Sequence, residues 1–120
     1  MPGPVAARPE SPVATRLRTI RSKSGMRARE IADLVGATPQ TVSRWQRGRV
    51  EPQASHLTQL LTLEWLVSQL AEFYQPGEAR LWLLAPHALL DGDRPADRIH
   101  EGRTEDVLAL IEQLRSGAYV

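Results

Sequence analysis

Hydrophobic positions along this chain of 120 residues recur every three or four residues, which is the period of an α-helix. The first such stretch carries Val13, Leu17 and Ile20 on its inner face. It is expected to begin at a cap formed by Ser11 or Thr15 and to end near Gly25. Nowhere does a period-two alternation of β-branched residues persist for the length of a strand. The pattern therefore predicts an all-α protein.

Residues 28–47 predict two short helices that are joined at a glycine. Gly36 lies where the chain must reverse with a positive φ angle. Thr38 offers a side-chain oxygen to the free N–H groups of the second helix, and Pro39 fills its first position without the loss of a hydrogen bond. The inward positions are Ile31, Ala32 and Val35 in the first helix and Val42 and Trp45 in the second.

The outer face of the second helix carries amides, hydroxyls and guanidinium groups, which are the groups that bind base edges and phosphates. Most of this face is expected to touch base edges or adjacent phosphates, and the flanking arginines are expected to neutralise backbone charge. Arg44 is suited to a bidentate contact with guanine. The candidate DNA-binding residues are Arg27, Thr38, Gln40, Thr41, Ser43, Arg44, Arg47 and Arg49.

This stretch resembles the helix-turn-helix of the phage-repressor-like (Xre) regulators. The match consists of the small Ala32 where the helices cross closely, Gly36 in the turn, Val42 and Trp45 as anchors, and the ending W-x-x-G-R that closes at Arg49. The resemblance implies that the second helix enters a DNA groove. The alternative is that the two helices merely pack together and their polar face is solvated.

A net charge of +1 hides an uneven distribution of charge along the chain. From residue 13 to residue 50 there are nine basic and two acidic side chains, a balance of +7. From residue 51 to residue 120 there are five arginines and eleven acids, a balance of −6. We therefore expect the basic N-terminal part to bind phosphate groups and the acidic C-terminal part to bind a protein partner. The basic residues of the first helix are spread around it and are expected to be chiefly solvated.

Several classes of function find no support in the composition. The chain has no cysteine, so disulfides and thiolate metal sites are impossible, which fits a cytoplasmic protein. No apolar run approaches the roughly 20 residues of a membrane span. The three histidines are far apart, and neither a nucleophile motif nor a Gly-rich phosphate loop occurs. We expect no enzyme activity, no cofactor and no metal.

The acidic half begins with the longest helical stretch, which is predicted from Ala54 to Tyr74. Apolar residues cover more of this helix than the single stripe of a surface helix, so we expect it to be buried on two sides. One side would pack against the N-terminal helices, and the other against either the rest of the acidic half or a second copy of the chain. A central core helix of a monomer is the alternative. Further helices are predicted at 78–84, after Pro95, and from Thr104 to a stop at Gly117.

The acidic half carries a series of landmarks in a fixed order. They are Trp82, Leu83 and Pro86, then Leu90, Gly92 and Pro95, then Gly102, and finally Val107, Leu114 and Gly117 with an aromatic residue two positions further on. This order is similar to the C-terminal toxin-binding domain of the MbcA/ParS/Xre antitoxins, which neutralise a RES-domain toxin that attacks NAD. The resemblance covers about residues 54–120.

The resemblance implies a homodimer that represses its own operon and presses its C-terminal segment into the toxin near the NAD pocket. The four prolines among residues 1–12 predict a disordered tail. The resemblances imply an Xre-like helix-turn-helix domain (13–53) and a toxin-binding domain that also dimerises (54–120). The alternative is that the last residues form a frayed chain end without a function. The implied toxin-binding residues are Arg115, Ser116, Gly117, Ala118, Tyr119 and Val120.

Two other functions fit the same sequence. In the first, the front bundle is a scaffold and only residues 54–120 act, on a protein partner. In the second, the chain is a stand-alone Xre-type transcriptional repressor whose acidic half only dimerises or senses a ligand. Operator binding and protection against a toxin distinguish the three interpretations.

Overall fold

The structure is a computed structural model, and it describes residues 11–117. Over this part of the chain it contains seven α-helices, a short 3₁₀ turn at Ala88–Leu90 and no strand, so the prediction of an all-α fold is confirmed. Most of the predicted N-terminal tail lies outside the described residues. The helices are α1 Pro12–Ser24, α2 Ala28–Val35, α3 Pro39–Gln46, α4 Ala54–Leu70, α5 Pro76–Leu84, α6 Pro95–His100 and α7 Thr104–Arg115.

Local capping fixes where the first three helices begin and end. The Ser11 hydroxyl accepts a hydrogen bond of 3.0 Å from a backbone N–H in the first turn of α1. That helix ends at Gly25, and α2 ends at Gly36, whose φ of 71° is left-handed and favours glycine. The Thr38 hydroxyl accepts a hydrogen bond of 3.1 Å from the Thr41 backbone at the start of α3. These boundaries agree with the sequence prediction.

Two later boundaries differ from the prediction. α4 ends at Leu70 rather than Tyr74, because the backbone N–H groups of Phe73 and Tyr74 both donate to the Leu70 carbonyl, at 2.9 and 3.0 Å. α5 begins at Pro76 rather than Glu78, since proline suits a first helical position. The Glu78 carboxylate also accepts a hydrogen bond of 2.9 Å from the backbone N–H that precedes the helix.

α4 lies at the centre of one hydrophobic core that includes residues of both halves. It packs along α1 and contacts α2 and α7, while Leu61 and Trp65 remain exposed on its outward side. The core is continuous across the predicted boundary between residues 53 and 54, so the division into domains stays a prediction. The largest fully buried side chains include Trp45, Leu17, Ile20, Met26, Ile31, Leu60, Leu63, Leu66, Leu70 and Leu83.

Polar contacts also join α2 to the C-terminal half. Arg80 donates to both carboxylate oxygens of Glu30, at 3.0 and 2.5 Å. This side-chain hydrogen bond is the main cause that lowers the pKa of Glu30. His100 Nδ1 lies 2.6 Å from the carbonyl oxygen of Asp33. The helix-turn-helix is therefore held in one orientation against α5 and α6.

Candidate nucleic-acid interface and C-terminal segment

α3 presents a polar face to solvent because its two large apolar side chains point into the core. Val42 and Trp45 are 0% and 1% exposed, whereas Gln40 and Arg44 are exposed and Ser43 is half-buried. Together with the start of α2 this face forms a shallow open groove. The groove is lined by Ala28, Pro39, Gln40, Ser43, Arg44 and Arg47.

The two threonines at the start of α3 have a structural task. The Thr38 hydroxyl caps the helix, and it also lies 2.9 Å from the hydroxyl of Thr41. Both groups therefore fix the start of α3 and hold Gln40 and Arg44 in place. A direct DNA contact by either threonine stays a prediction.

The flanking arginines surround this face. Arg27 precedes α2, Arg47 ends α3 and Arg49 lies in the following loop, and all three are exposed. Neither Arg47 nor Arg49, nor Arg44 on α3, forms an ion pair with a carboxylate within residues 11–117. Their charge is therefore available to an external anion such as a phosphate.

The basic side chains of α1 need a correction, because several of them are bonded rather than merely solvated. Arg16 pairs with Glu64 of α4 at 2.5 Å. Arg21 donates to the side-chain oxygen of Gln46, at 2.9 Å, and so steadies the last residue of α3. Lys23 donates to the Ser68 hydroxyl at 3.2 Å. Partners 25 to 48 residues away along the chain cannot be read from helical periodicity.

The C-terminal candidate residues are described as far as Gly117. That glycine ends the helical turn with a φ of 84°, as expected for a residue that lets the chain leave a helix. Ser116 is exposed, and its hydroxyl donates to the Gln113 carbonyl at 3.0 Å. The predicted toxin-binding residues Ala118, Tyr119 and Val120 lie outside the described residues.

Arg115 already has partners within the chain. One guanidinium nitrogen lies 3.0 Å from a carboxylate oxygen of Glu72, and another donates to the side-chain oxygen of Gln69. The guanidinium also lies over the Phe73 ring, 5.8 Å from its centroid. The hydrogen bond to Glu72 is the main cause that raises the pKa of Arg115. A contact between Arg115 and a toxin stays a prediction, and it requires exchange of these partners.

One arginine of the C-terminal half is buried, which the sequence pattern does not predict. Arg98 is 6% exposed, and it lies 3.0 Å from Asp93 and 2.6 Å from Asp106. It also donates to the Leu90 carbonyl at 2.7 Å. Hydrogen bonds to the two carboxylates, that of Asp106 foremost, raise its pKa. The turn at Asp91–Gly92–Asp93 is therefore fastened to α6 and α7 by a charge-assisted network.

The histidines have structural partners. His56 packs against the ring of Trp45, with 5.3 Å between centroids, and His87 Nε2 lies 3.0 Å from the Trp82 carbonyl oxygen. Across residues 11–117 no three side chains of the metal-ligating types are grouped so that they could hold an ion. In the same range, no helix has both the length and the apolar character needed to cross a bilayer.

Two short helices, α2 and α3, meet at a glycine turn, and α3 exposes its polar face while Val42 and Trp45 anchor it in the core. This arrangement defines a helix-turn-helix protein. A family model described as a helix-turn-helix domain matches residues 13–79. The chain is 35% identical over 96 residues to the mycobacterial cidal antitoxin MbcA of Mycobacterium tuberculosis (strain ATCC 25618 / H37Rv), which covers 80% of this chain and 85% of that protein. It is 33% identical over 91 residues to the probable mycobacterial cidal antitoxin Rv3188 of the same strain, over 76% of this chain and 77% of that protein.

The fold is shared as well. A chain in the crystal structure of the M. tuberculosis MbcT–MbcA toxin–antitoxin complex matches this one with a TM-score of 0.78 and 33% identity, over 89% of this chain and 96% of that chain. The protein belongs to the MbcA family of antitoxins, and it carries the helix-turn-helix domain that the sequence predicts.

Proposed function

We propose that this protein neutralises a cognate RES-domain toxin that degrades NAD, and that it represses its own operon through the helix-turn-helix. Family membership supports a toxin partner, because a relative of known structure was solved as a toxin–antitoxin complex. The observation that carries DNA binding is the exposed α3 face, whose arginines pair with no carboxylate within residues 11–117. The protein acts in the cytoplasm, without a catalytic role of its own.

On the DNA side, the face of α3 reads base edges. Gln40, Ser43 and Arg44 line the groove and are solvent-accessible, and helices of this kind contact bases in the major groove. Arg27, Arg47 and the loop arginine neutralise phosphates. A homodimer would present two such helices, so the operator is an inverted repeat with half-sites about 10 base pairs apart.

On the toxin side, the segment Arg115 to Val120 enters the toxin near its NAD pocket. Gly117 directs the chain away from α7, and Tyr119 supplies a large rigid anchor of the kind that dominates interfaces. The acidic C-terminal half suits a partner whose surface is basic.

The DNA part is tested by titrating fluorescently labelled promoter DNA and a shuffled sequence with the purified protein. Arg44→Ala is expected to lower affinity for the promoter by about 10- to 100-fold and to leave binding to the shuffled sequence nearly unchanged. Arg47→Ala is expected to weaken both and to reduce the salt slope by about one. Arg94→Ala is the matched control. Arg94 directly precedes α6, outside the helix-turn-helix, and its charge is paired with Asp97.

Equal affinity of the wild-type protein for both sequences would remove the operator function and leave a scaffold for toxin binding. The toxin part is tested by co-expression with the product of the adjacent gene. A RES-type enzyme that co-purifies with the protein is the expected result. A promoter-specific protein that binds no such enzyme would instead be a stand-alone repressor.

A further inference from the structure

The carboxylate of Glu30 holds two different groups at the start of α2. Its Oε1 atom accepts a hydrogen bond of 2.9 Å from the backbone N–H of Arg27, the residue that precedes the helix. The same oxygen accepts a hydrogen bond of 3.0 Å from Nε of Arg80, and Oε2 accepts one of 2.5 Å from a terminal nitrogen of that guanidinium. One carboxylate of the helix-turn-helix therefore joins the backbone at Arg27 to a side chain of α5.

The guanidinium of Arg27 is a second cation near this carboxylate. Hydrogen bonding to Arg80 is the main cause that lowers the pKa of Glu30, and the charge of Arg27 lowers it further. The Arg27 side chain is nevertheless exposed, and it forms no ion pair with a carboxylate among residues 11–117. The Glu30 side chain is only 16% exposed, so water screens its charge poorly and the carboxylate favours a cationic partner. Arg80 is that partner.

The position of Arg27 links this arrangement to the α3 face. The next residue, Ala28, lines the groove of that face together with Arg44 and Arg47. Arg80 lies on α5, outside the helix-turn-helix. A guanidinium that pairs with a carboxylate of its own chain is no longer available to neutralise a phosphate. If Arg80 were absent, Arg27 would be the remaining cation that acts on Glu30.

We propose that Arg80 is a positioning residue for DNA binding, which by pairing with Glu30 keeps the guanidinium of Arg27 available to a phosphate. This role rests on the proposed operator function, and Arg80 itself touches no DNA. When the pair is broken, Glu30 and Arg27 pair with each other, and the protein loses one phosphate contact. The C-terminal half thereby controls part of the DNA affinity of the N-terminal helices through a single ion pair.

Binding of labelled promoter DNA to the full-length protein at a series of salt concentrations tests the proposal. Arg80→Met is expected to lower the affinity roughly fivefold to tenfold at about 0.1 M salt and to reduce the salt slope by about one, as one lost phosphate contact would. Arg27→Ala should have the same effect. The combination of both substitutions should cause no further loss, because both remove the same contact.

A second background distinguishes positioning from direct contact. Glu30→Gln retains an oxygen that can accept the capping hydrogen bond, but it has no charge that attracts Arg27. In this background Arg80→Met is therefore expected to change neither the affinity nor the salt slope. Arg94→Met is the matched control in the wild-type background, because its partner Asp97 accepts the hydrogen bond from the backbone N–H that precedes α6 rather than α2. It should bind the promoter as the wild-type protein does.

The outcomes separate this role from the operator function. Equal losses caused by Arg80→Met in both backgrounds would overturn the positioning role, and so would an unchanged affinity of Arg80→Met, while promoter binding by the wild-type protein would still support the operator function. A wild-type protein that does not prefer the promoter would overturn both. Circular dichroism should show the same helix content for all variants, and binding is measured below their lowest melting temperature.

Titration of the Glu30 carboxyl by NMR tests the exchange of partners without DNA. Arg27→Ala is expected to raise the pKa of Glu30 more in the Arg80→Met background than in the wild-type background, because Arg27 is the partner of Glu30 only when Arg80 is missing. An equal rise in both backgrounds would overturn the proposal even if the promoter is bound.

Discussion

The arginines of the C-terminal half and those around α3 differ in whether the chain itself supplies a carboxylate partner. In the C-terminal half, each arginine lies within 4.0 Å of a carboxylate of the chain. Around α3, by contrast, Arg44, Arg47 and Arg49 have no carboxylate partner in the described part of the chain. A paired arginine holds the fold together, while an unpaired one attracts an external anion. The paired set is Arg80, Arg94, Arg98, Arg103 and Arg115.

This difference predicts that replacing Arg98 has the largest effect on stability. Arg98→Ala leaves the Leu90 carbonyl and two carboxylates without their shared donor. The melting temperature is expected to fall by about 10 °C, measured by circular dichroism. Arg94→Ala is the control, because the Arg94 side chain is 40% exposed and Asp97 is its one carboxylate partner among residues 11–117. It should lower the melting temperature by about 2 °C. Equal effects of the two substitutions would contradict the assignment of Arg98 as the centre of a network.

Arg115 belongs to the paired set although the resemblance assigns it to the toxin, so it can sharpen the comparison. Arg115→Ala is expected to weaken toxin binding by about 10-fold, measured by calorimetry, if the guanidinium contacts the toxin. Glu72→Gln keeps Arg115 but removes the carboxylate that holds it. This variant should bind the toxin at least as tightly as the wild-type protein does. Equal losses in both variants would mean that Arg115 acts by holding α7 against α4.

A smaller effect on the pH dependence of stability is expected from the ion pair between Glu30 and Arg80, which joins the two halves. Arg80 lowers the pKa of Glu30 in the folded protein. The pair therefore stabilises the fold above the pKa of an unfolded glutamate and loses this contribution as the pH falls through the lowered value. Between about pH 5 and pH 3, the melting temperature of Arg80→Met should fall less than that of the wild-type protein. Arg29→Met, an exposed arginine on α2, should retain the wild-type slope. Identical slopes for wild type and Arg80→Met would exclude the pair as a source of acid sensitivity.

The features predicted correctly from the sequence depend on neighbours along the chain. Ser11, Gly36 and Thr38 cap or end helices within a few residues of their own positions, so local rules place them. The exposed side of α3 follows directly once Val42 and Trp45 are taken as the inward pair. The exposure of most of the candidate DNA-binding residues could therefore be predicted without the structure, while their contact with DNA stays a prediction.

The features that were missed depend on tertiary contacts. Glu30 and Arg80 are 50 residues apart, and Arg115 and Glu72 are 43 apart, so no periodicity in the sequence pairs them. Arg98 is buried although an arginine in an acidic stretch is normally solvated. The end of α4 was placed too late because Phe73 and Tyr74 continue the apolar pattern after the helix has closed on Leu70.

The measurement that tests the proposed division of tasks most directly is inhibition of NAD consumption by the RES-type toxin proposed as the partner. It compares the wild-type protein with Arg44→Ala and with a chain that lacks residues 118–120, a deletion that retains Arg115 and Glu72. Arg44→Ala should inhibit as strongly as the wild-type protein, while the deletion should raise the inhibition constant by at least about 100-fold. Full inhibition by the shortened chain would contradict the proposal that this segment blocks the toxin.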